Sequence, residues 1–203
     1  SVPRGSVTVI TGKSGTGKST LLGLLAGLDK PSSGEVIIDG HYLSAMPNAE
    51  LAALRREKLG IIFQNFNLLP SWTAFENVEA ALLHTGMPEA ERREKVAAQL
   101  AALGLAERMD HLPAQLSVGQ QQRVAVARTL IKSPTLIFAD EPTGNLDTET
   151  AGEILDLLLQ PVRAAGATLI VTTHGNFDLS VADTVLYLKD GVVTGTPGTA
   201  DLQ

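Results

Sequence analysis

The feature that most constrains the fold is a glycine-rich segment near the start of the chain, GKSGTGKST at residues 12–20. It satisfies the phosphate-loop pattern G-x-x-x-x-G-K-[ST], in which backbone N–H groups surround phosphate oxygens and the lysine reaches the β and γ phosphates. Alternating apolar residues at 6–10 predict a strand before the loop, and leucines at 21–25 predict a helix after it. Such a strand, loop and helix unit is the structural context that the motif requires.

The residue types of this loop suit a strongly anionic ligand. Its glycines allow the backbone to approach the ligand closely, and the N-terminus of the following helix adds positive partial charge. Lys18 is expected to bridge the β and γ phosphates, and the Ser19 hydroxyl is expected to ligate Mg²⁺. A chance match in a glycine- and serine-rich turn is the alternative, at odds of about one per cent for ordinary composition. The predicted phosphate-binding residues are Gly12, Lys13, Ser14, Gly15, Thr16, Gly17, Lys18, Ser19 and Thr20.

A pair of carboxylates follows a buried apolar stretch. Residues 136–139 predict a central parallel strand covered on both faces, and Asp140 and Glu141 come directly after it. Because successive side chains of a strand point to opposite sides, the two carboxylates are expected to have different roles. Asp140 suits the Mg²⁺ shell, whereas Glu141 suits polarisation of a water at the γ-phosphate, a role worth about 10²–10⁴ in rate. A solvated acidic turn is the alternative, which the phosphate loop elsewhere in the chain disfavours.

Composition limits the class of protein. The chain has 203 residues, 44% of them hydrophobic, which is enough for one core or a core with a subdomain. The net charge of −6 comes from interspersed signs without a basic stripe, so nucleic acid is not an expected partner. No apolar run approaches the roughly 18 residues that span a bilayer. The absence of cysteine excludes disulfides and thiolate metal sites and suits a reducing cytosol.

The hydrophobic periodicity changes near residue 68. From there to residue 133 it is helical, and Thr73 with Glu76 forms a capping box at the start of one predicted helix. The strands before residue 68 are expected to belong to one core, and Asp190 with Gly191 predicts a final hairpin. The predicted strands lie at residues 6–10, 35–38, 61–63, 136–139 and 168–172. The predicted helices lie at residues 18–26, 49–58, 74–83, 89–103, 120–131 and 148–165.

A third motif, LSVGQQQR at residues 116–123, lies between the phosphate loop and the carboxylate pair. With all three motifs in this order, the chain resembles the ATP-binding subunits of ABC transporters over residues 1–195. The resemblance implies an α/β fold of the P-loop NTPase class in a single domain, 1–203. Within it, a RecA-like core with a mainly parallel sheet and antiparallel edge strands would occupy about 1–67 and 134–203, and a helical subdomain about 68–133.

The resemblance also implies roles for residues outside the phosphate loop. It identifies Gln64 as the Q-loop glutamine, which ligates the metal and assists catalysis, and His174 as the switch histidine. It places Asp147 in the D-loop at residues 145–147. A lone glutamine or histidine is more often structural than catalytic, but the order and spacing of the motifs favour the functional interpretation. The family signature then comprises Ser117, Val118, Gly119 and Gln120.

The signature suggests a site shared between two chains. Ser117 can cap the helix that follows it, so that the helix N-terminus and the Gly119 amide face an anion. In the family that anion is the γ-phosphate held by the opposite subunit. The resemblance therefore implies that ATP and Mg²⁺ close two copies of the chain head to tail, and that hydrolysis reopens them.

The resemblance further implies a separate integral membrane permease, with this chain cytoplasmic and peripheral on the inner face of the membrane. The segment near Phe66 and Trp72 is expected to contact the permease. Two alternative functions are compatible with a phosphate loop. A chromosome-maintenance or DNA-repair ATPase would need a long coiled-coil or zinc-bearing insertion, and neither is visible. A non-hydrolysing, ATP-gated binding module is disfavoured by Glu141 and His174.

Three segments resemble the branch that includes lipoprotein-releasing, macrolide-efflux and cell-division ATPase subunits: FQNFNLLP at 63–70, TAFENV at 73–78 and ADEPTGNLD at 139–147. Departures from the family pattern are Val118, where glycine is usual, and Lys13, which adds a cation near the phosphates. The sequence is also expected to begin after the family's first strand region, so that the aromatic residue that stacks on adenine is missing.

Overall fold

The computed structural model describes residues 1–175 and 177–195. The strands are β1 Val7–Thr11, β2 Ile37–Ile38, β3 His41–Tyr42, β4 Leu59–Ile62, β5 Leu136–Asp140, β6 Thr168–Thr173, β7 Thr184–Lys189 and β8 Val192–Thr194. Six of these form one sheet in the order β4-β5-β6-β1-β7-β8. All neighbours pair in parallel except β7 and β8, which pair antiparallel at one edge. The predicted α/β class with a mainly parallel sheet is confirmed. Antiparallel edge strands were expected, and this holds for β8 but not for the opposite edge strand, β4, which pairs in parallel.

Helices cover the sheet and fill the connection between β4 and β5. They are α1 Lys18–Leu25, α2 Asn48–Glu57, α3 Ala74–Glu79, α4 Glu89–Ala102, α5 Val118–Leu130 and α6 Thr148–Ala164. The predicted capping box of α3 is present: Thr73 Oγ1 accepts from the Glu76 amide at 3.1 Å, and a Glu76 carboxylate oxygen accepts from the Thr73 amide at 2.7 Å. The helix expected to reach residue 83 instead ends at Glu79 and continues as a 3₁₀ turn, Ala80–Leu82. Helices α3 to α5 lie between β4 and β5, in the segment where the sequence predicts helices.

Apolar side chains pack on both faces of the central strands. Ile10, Phe138 and Ile170 belong to the cluster on the face of the sheet that α1 covers. Val9, Ile137 and Leu169 belong to the larger cluster that includes the helical insertion. Because alternate residues of a strand point to opposite faces, each central strand contributes to both clusters. This burial on two faces fixes the positions of the loops at the strand ends.

One strand prediction was wrong. Residues 35–38 were expected to join the core sheet, but only Ile37–Ile38 forms a strand, and it pairs antiparallel with His41–Tyr42 in a separate two-stranded ribbon. The reason is local: Asp39 has φ 51° and Gly40 has φ 82°, which is the backbone of a tight two-residue hairpin turn. This turn pairs the strand with the residues that follow it. The predicted hairpin at Asp190 and Gly191 has the same turn geometry.

Four loops meet at the carboxyl ends of the parallel strands. Strands β1, β4, β5 and β6 run in the same direction, so the segments after Thr11, Ile62, Asp140 and Thr173 leave the sheet on the same side. In open α/β sheets, ligands bind outside the carboxyl ends of the strands. In the part of the chain that the structure describes, no helix is both long and apolar enough to cross a membrane.

Candidate active site

The phosphate loop connects β1 to α1 and has a narrowly defined backbone. A Cβ added to Gly12 would lie 2.4 Å from the carbonyl oxygen of Leu188, so a side chain there would displace the backbone of β7. Gly17 is the residue before α1 and has φ 97°, a conformation that favours glycine. Lys18 is 5% exposed, and its ammonium donates to the carbonyl oxygens of Gly12 at 2.9 Å and Lys13 at 3.1 Å. The loop therefore curves around a buried cation.

Glu141 lies opposite this cation and is contacted by side chains from three other segments of the chain. Its Oε2 accepts from Gln64 Nε2 at 3.0 Å and lies 2.8 Å from His174 Nδ1. Its Oε1 lies 3.7 Å from Lys18 Nζ. The Glu141 side chain is 10% exposed. The four residues expected to carry catalysis thus form one connected cluster, although they are spread over more than 150 positions of the sequence.

The backbone at Glu141 is unusual. Its φ is 47°, in the left-handed region that few residues other than glycine adopt. The Glu141 amide donates to the Thr172 carbonyl at 3.0 Å, and its carbonyl accepts from the Gly144 amide at 3.1 Å. This turn directs the carboxylate into the cleft. Asp140 and Glu141 do point to different partners, but a backbone turn separates them, rather than the strand pleat that the sequence analysis assumed.

Asp140 lies behind this cluster. It is 8% exposed and accepts a hydrogen bond from the Thr172 hydroxyl. The two residues are in register on β5 and β6, so the neighbouring strand orients the carboxylate. Thr172 was not predicted as a site residue, because strand pairing cannot be read from the local sequence.

The clustered side chains line a cleft of about 530 Å³, a size that suits a small-molecule ligand. Most of the predicted site residues line it, together with Asn145 and Gly144. Asn145 was expected only as part of the D-loop, and its side-chain amide donates to the Gln64 carbonyl at 3.4 Å. Gly144 was not among the predicted site residues. The lining residues are Ser14, Gly15, Gly17, Lys18, Ser19, Thr20, Gln64, Glu141, Gly144, Asn145 and His174.

The oxygen donors of the cleft fit a magnesium ion that arrives with a polyphosphate. Ser19 and Gln64 line the cleft, and Asp140 adjoins it in sequence through Glu141. Within residues 1–175 and 177–195, no group of three or more His, Cys, Asp or Glu side chains could hold a metal by itself. Mg²⁺ is typically bound through one or two carboxylates together with substrate phosphates. A sparse set of donors beside a phosphate loop is consistent with that mode of binding.

Four of the predicted residues, Ser117, Gly119, Gln120 and Asp147, lie at the N-termini of α5 and α6, outside the cleft lining. Ser117 Oγ accepts from the Gln120 amide at 3.2 Å, and Gln120 Oε1 accepts from the Ser117 amide at 3.0 Å. The Asp147 carboxylate accepts from the amide of Thr150 at 3.0 Å and from its hydroxyl at 2.7 Å. These hydrogen bonds lower the pKa of the Asp147 carboxyl. Ser117, Gly119, Gln120 and Asp147 therefore form a second group, separate from the cleft of their own chain.

The two helix N-termini are in contact. A Cβ added to Gly119 would lie 2.8 Å from Cγ2 of Thr150, closer than side-chain carbons normally approach. Gly119 is thus required for the packing of α5 against α6 within one chain, apart from any role toward a ligand. No motif in the sequence indicates this contact, because it depends on how the two helices pack.

This contact predicts that the effect of Gly119→Ala on the free energy of unfolding changes sign when Thr150 is replaced by serine. Gly119→Ala is expected to destabilise the chain by about 1–3 kcal/mol through the steric clash, reduced by the roughly 0.5–1 kcal/mol that alanine gains over glycine in a helix. Thr150→Ser removes the clashing methyl group and keeps the hydroxyl that donates to Asp147. In the Thr150→Ser background, Gly119→Ala should therefore be neutral or stabilising. Thermal unfolding decides, since each kcal/mol shifts Tm by about 2–4 °C in a chain of this size.

Thr150→Ser alone is the control and should unfold close to the parent temperature. A Gly119→Ala/Thr150→Ser chain that is no more stable than Gly119→Ala would contradict the steric explanation.

The fold and the site together define a P-loop nucleotide-binding cassette, and the comparison with protein families agrees. The family model described as ABC transporter matches residues 1–144. The chain therefore belongs to the ABC transporter family, and the resemblance stated from the sequence is confirmed. The match includes the phosphate loop, the signature and the carboxylate pair, whereas Asp147 and His174 lie beyond it.

Similar proteins carry names consistent with the suggested branch. The chain is 46% identical over 191 residues to an ABC transporter ATP-binding protein of Thermotoga maritima, covering 94% of this chain and 81% of that protein. It is 43% identical over 195 residues to the ATP-binding protein YtrE of Bacillus subtilis, covering 96% and 84%. It is 48% identical over 193 residues to the macrolide export ATP-binding/permease protein MacB of Shewanella oneidensis, covering 95% of this chain but 29% of that protein.

A solved structure supports the fold. The dimeric post-hydrolysis state of the ATP-binding cassette MJ0796, bound to ADP and Pi, superposes with a TM-score of 0.86 at 40% identity. The superposition covers 96% of this chain and 87% of the other. The chain is thus a member of the ABC ATPase class in sequence and in fold.

Proposed function

We propose that the chain binds ATP with Mg²⁺, hydrolyses it at the cleft around Glu141, and drives transport through a head-to-tail dimer coupled to a membrane permease. The observation that carries this proposal is the contact of one carboxylate with Gln64 and His174, 3.7 Å from the buried Lys18 ammonium. A cation inside a phosphate loop and an oriented carboxylate opposite it are two of the elements that ATP hydrolysis needs.

Binding is assigned to the phosphate loop. The loop amides and the N-terminus of α1 surround the polyphosphate, and Lys18 exchanges its two carbonyl acceptors for β and γ phosphate oxygens. Ser19, Gln64 and Asp140 would hold Mg²⁺. When bound, the ion neutralises phosphate charge.

The chemical step is assigned to Glu141. Gln64 and His174 both contact Oε2 of Glu141, whereas Oε1 faces Lys18. We infer that Oε1 takes the proton of the attacking water. The water oxygen bonds to the γ-phosphorus, the bond from that phosphorus to the bridging oxygen breaks, and ADP and phosphate result. His174 and Gln64 keep the carboxylate oriented, because two donors hold the oxygen that does not react.

The second group of residues supports a site completed by another copy of the chain. Ser117 and Gly119 lie at an exposed helix N-terminus, where amide donors and positive partial charge favour an anion. They do not line the cleft of their own chain. The related cassette MJ0796, bound to ADP and Pi, is described as dimeric. We propose that Ser117 and Gly119, with Gln120 and Asp147 beside them, face the γ-phosphate of a partner copy.

Coupling to a permease is supported by the relatives. MacB is named an ATP-binding/permease protein, and this chain matches 29–30% of its length. A candidate contact surface is the loop at residues 66–73, where Leu69 is 44% exposed. Asn77 is buried and holds this loop through hydrogen bonds to Leu69, Trp72 and Thr73. We propose that the permease is a separate subunit, which would place this chain on the inner face of the membrane.

The proposal predicts phosphate release from Mg-ATP with an unusual dependence on protein concentration. Because each site needs two chains, specific activity should fall as the protein is diluted below the dimer dissociation constant. The measurement is phosphate release at saturating Mg-ATP over a dilution series. Constant specific activity throughout would contradict the shared site, and the absence of hydrolysis at every concentration would contradict the ATPase assignment.

A further inference from the structure

The segment after Gln64 has a backbone that its own residues do not explain. Phe66 has φ 59° and Asn67 has φ 46°, so two consecutive residues other than glycine adopt the left-handed conformation. Such residues are uncommon and persist where the surrounding structure holds them in place. Within the segment, the Phe66 amide donates to the Phe63 carbonyl at 3.0 Å and the Asn67 amide donates to the Asn65 carbonyl at 2.6 Å. The carbonyls of Phe66 and Asn67 take no part in these two hydrogen bonds.

Both carbonyls accept hydrogen bonds from Arg128, which lies 61 residues further along the chain on α5. Nη1 donates to the Asn67 carbonyl and Nη2 donates to the Phe66 carbonyl, each at 2.6 Å. Burial lowers the pKa of the Arg128 guanidinium, so this cation is partly withdrawn from water. Among the described residues, none forms a salt bridge with it. The rigid fork of the guanidinium is satisfied by two backbone carbonyls.

Helix α5 also holds the strand before Gln64. The hydroxyl of Thr129, the next residue of α5, lies 3.1 Å from the Ile61 carbonyl and 2.9 Å from the Ala125 carbonyl of its own helix, and its one proton is shared between them. A Cβ added to Gly60 would lie 2.7 Å from Cγ2 of Thr129, which shows how closely α5 packs on β4. The chain is therefore held by α5 both before and after Gln64. Gln64 in turn donates to Glu141 at 3.0 Å.

The same helix begins at the Ser117 cap. Arg128 lies eleven positions after Ser117, which is about 16 Å along a helix. We infer that Arg128 is a positioning residue that holds the 64–67 segment so that Gln64 meets Glu141, and thereby links the orientation of the signature helix to the catalytic cleft. This inference rests on the proposed function. It assigns Arg128 a role that acts through Gln64, without contact to the nucleotide.

The test is a double-mutant cycle in ATP hydrolysis. Arg128→Ala should lower kcat about 10- to 100-fold, the scale of a misplaced catalytic group. The KM for ATP should change less than about threefold, because the phosphate loop is untouched. In a chain that already carries Gln64→Ala, Arg128→Ala should cause little further loss, because its effect passes through the missing side chain.

Lys132→Ala is the matched control. Lys132 is also a partly buried cation whose pKa is lowered by burial, and it also donates to a backbone carbonyl, that of Arg55 at 3.0 Å. It does not contact the 64–67 segment in the hydrogen bonds of the described residues. Any loss that Lys132→Ala causes should multiply with the loss from Gln64→Ala. Thermal unfolding of every variant separates instability from loss of turnover.

Two further measurements cover the case in which Arg128→Ala does not fold. Arg128→Lys keeps the charge, but a single ammonium cannot reproduce the fork, so a smaller loss of kcat with the same dependence on Gln64 is expected. Hydrogen exchange of the amides at 64–67 should accelerate in Arg128→Lys and remain unchanged in Lys132→Ala. This second readout needs no turnover.

The outcomes are distinguishable. If the parent chain hydrolyses ATP and the losses from Gln64→Ala and Arg128→Ala multiply, the inference is wrong and the proposed function stands. If the parent chain does not hydrolyse ATP but exchange at 64–67 responds to Arg128→Lys alone, Arg128 positions the segment and the proposed function is wrong. Unchanged exchange in Arg128→Lys contradicts the inference in either case.

Discussion

Glu141→Gln is expected to reduce ATP hydrolysis by about 10²-fold or more while ATP binding stays intact. The amide has nearly the shape of the carboxylate but cannot take a proton from water. Its oxygen can still accept from Gln64, so the cleft should keep its geometry. With hydrolysis blocked, Mg-ATP should accumulate in the closed state. Phosphate release, nucleotide titration and gel filtration with Mg-ATP measure the three consequences.

Two other variants serve as a contrast and a control for Glu141→Gln. Lys18→Ala removes the buried cation of the phosphate loop and should weaken nucleotide binding itself, in contrast to Glu141→Gln. Glu94→Gln makes the same chemical change at an exposed position of α4 and should leave binding and turnover unchanged. A Glu141→Gln chain that turns over ATP at the parent rate would remove Glu141 from the chemical step.

The parts of the site that could be predicted are those whose chemistry is local in sequence. The phosphate loop places its glycines, Lys18 and Ser19 within nine residues, and the predicted cap at Ser117 bonds to Gln120 within four. A short motif determines these geometries almost alone, because the hydrogen bonds join near neighbours. The strand before the loop and the helix after it were predictable for the same reason, since periodicity is a local signal.

The contacts that could not be predicted join distant residues through packing. Thr172 orients Asp140 because β5 and β6 pair in one register, which no residue of either strand specifies alone. Gly119 meets Thr150 because two helices cross at their N-termini. Arg128 meets a segment 61 residues earlier. The tertiary fold determines these partners, and the sequence motifs do not indicate them.

The ribbon of β2 and β3 shows the opposite kind of error, because here a local pairing was missed and a distant one was expected. The strand pattern at residues 35–38 was recognised, but its partner was assumed to be the central sheet. The Asp39–Gly40 turn instead pairs it with the next two residues of strand. A two-residue turn with both φ values positive closes a hairpin locally, and this short connection was overlooked.

Ser117→Arg is expected to abolish hydrolysis while the chain still binds ATP. The substitution removes the oxygen that caps α5 and places a large cation at the helix N-terminus that we assign to the partner's phosphate. Loss of such a cap costs about 0.5–2 kcal/mol of stability, which a folded chain of this size can tolerate. Because Ser117 does not line the cleft of its own chain, the nucleotide dissociation constant of the monomer, measured below the dimer dissociation constant, should stay near the parent value.

The central claim is that each ATP is bound by the cleft of one chain and completed by the signature helix of another. Its most direct measurement is gel filtration of Glu141→Gln and Glu141→Gln/Ser117→Arg, with and without saturating Mg-ATP. We expect Glu141→Gln to shift from monomer to dimer on adding Mg-ATP, and the double variant to remain a monomer at the same nucleotide occupancy. A Glu141→Gln/Ser117→Arg chain that dimerises as fully as Glu141→Gln, or a Glu141→Gln chain that stays monomeric when saturated, would contradict the shared site.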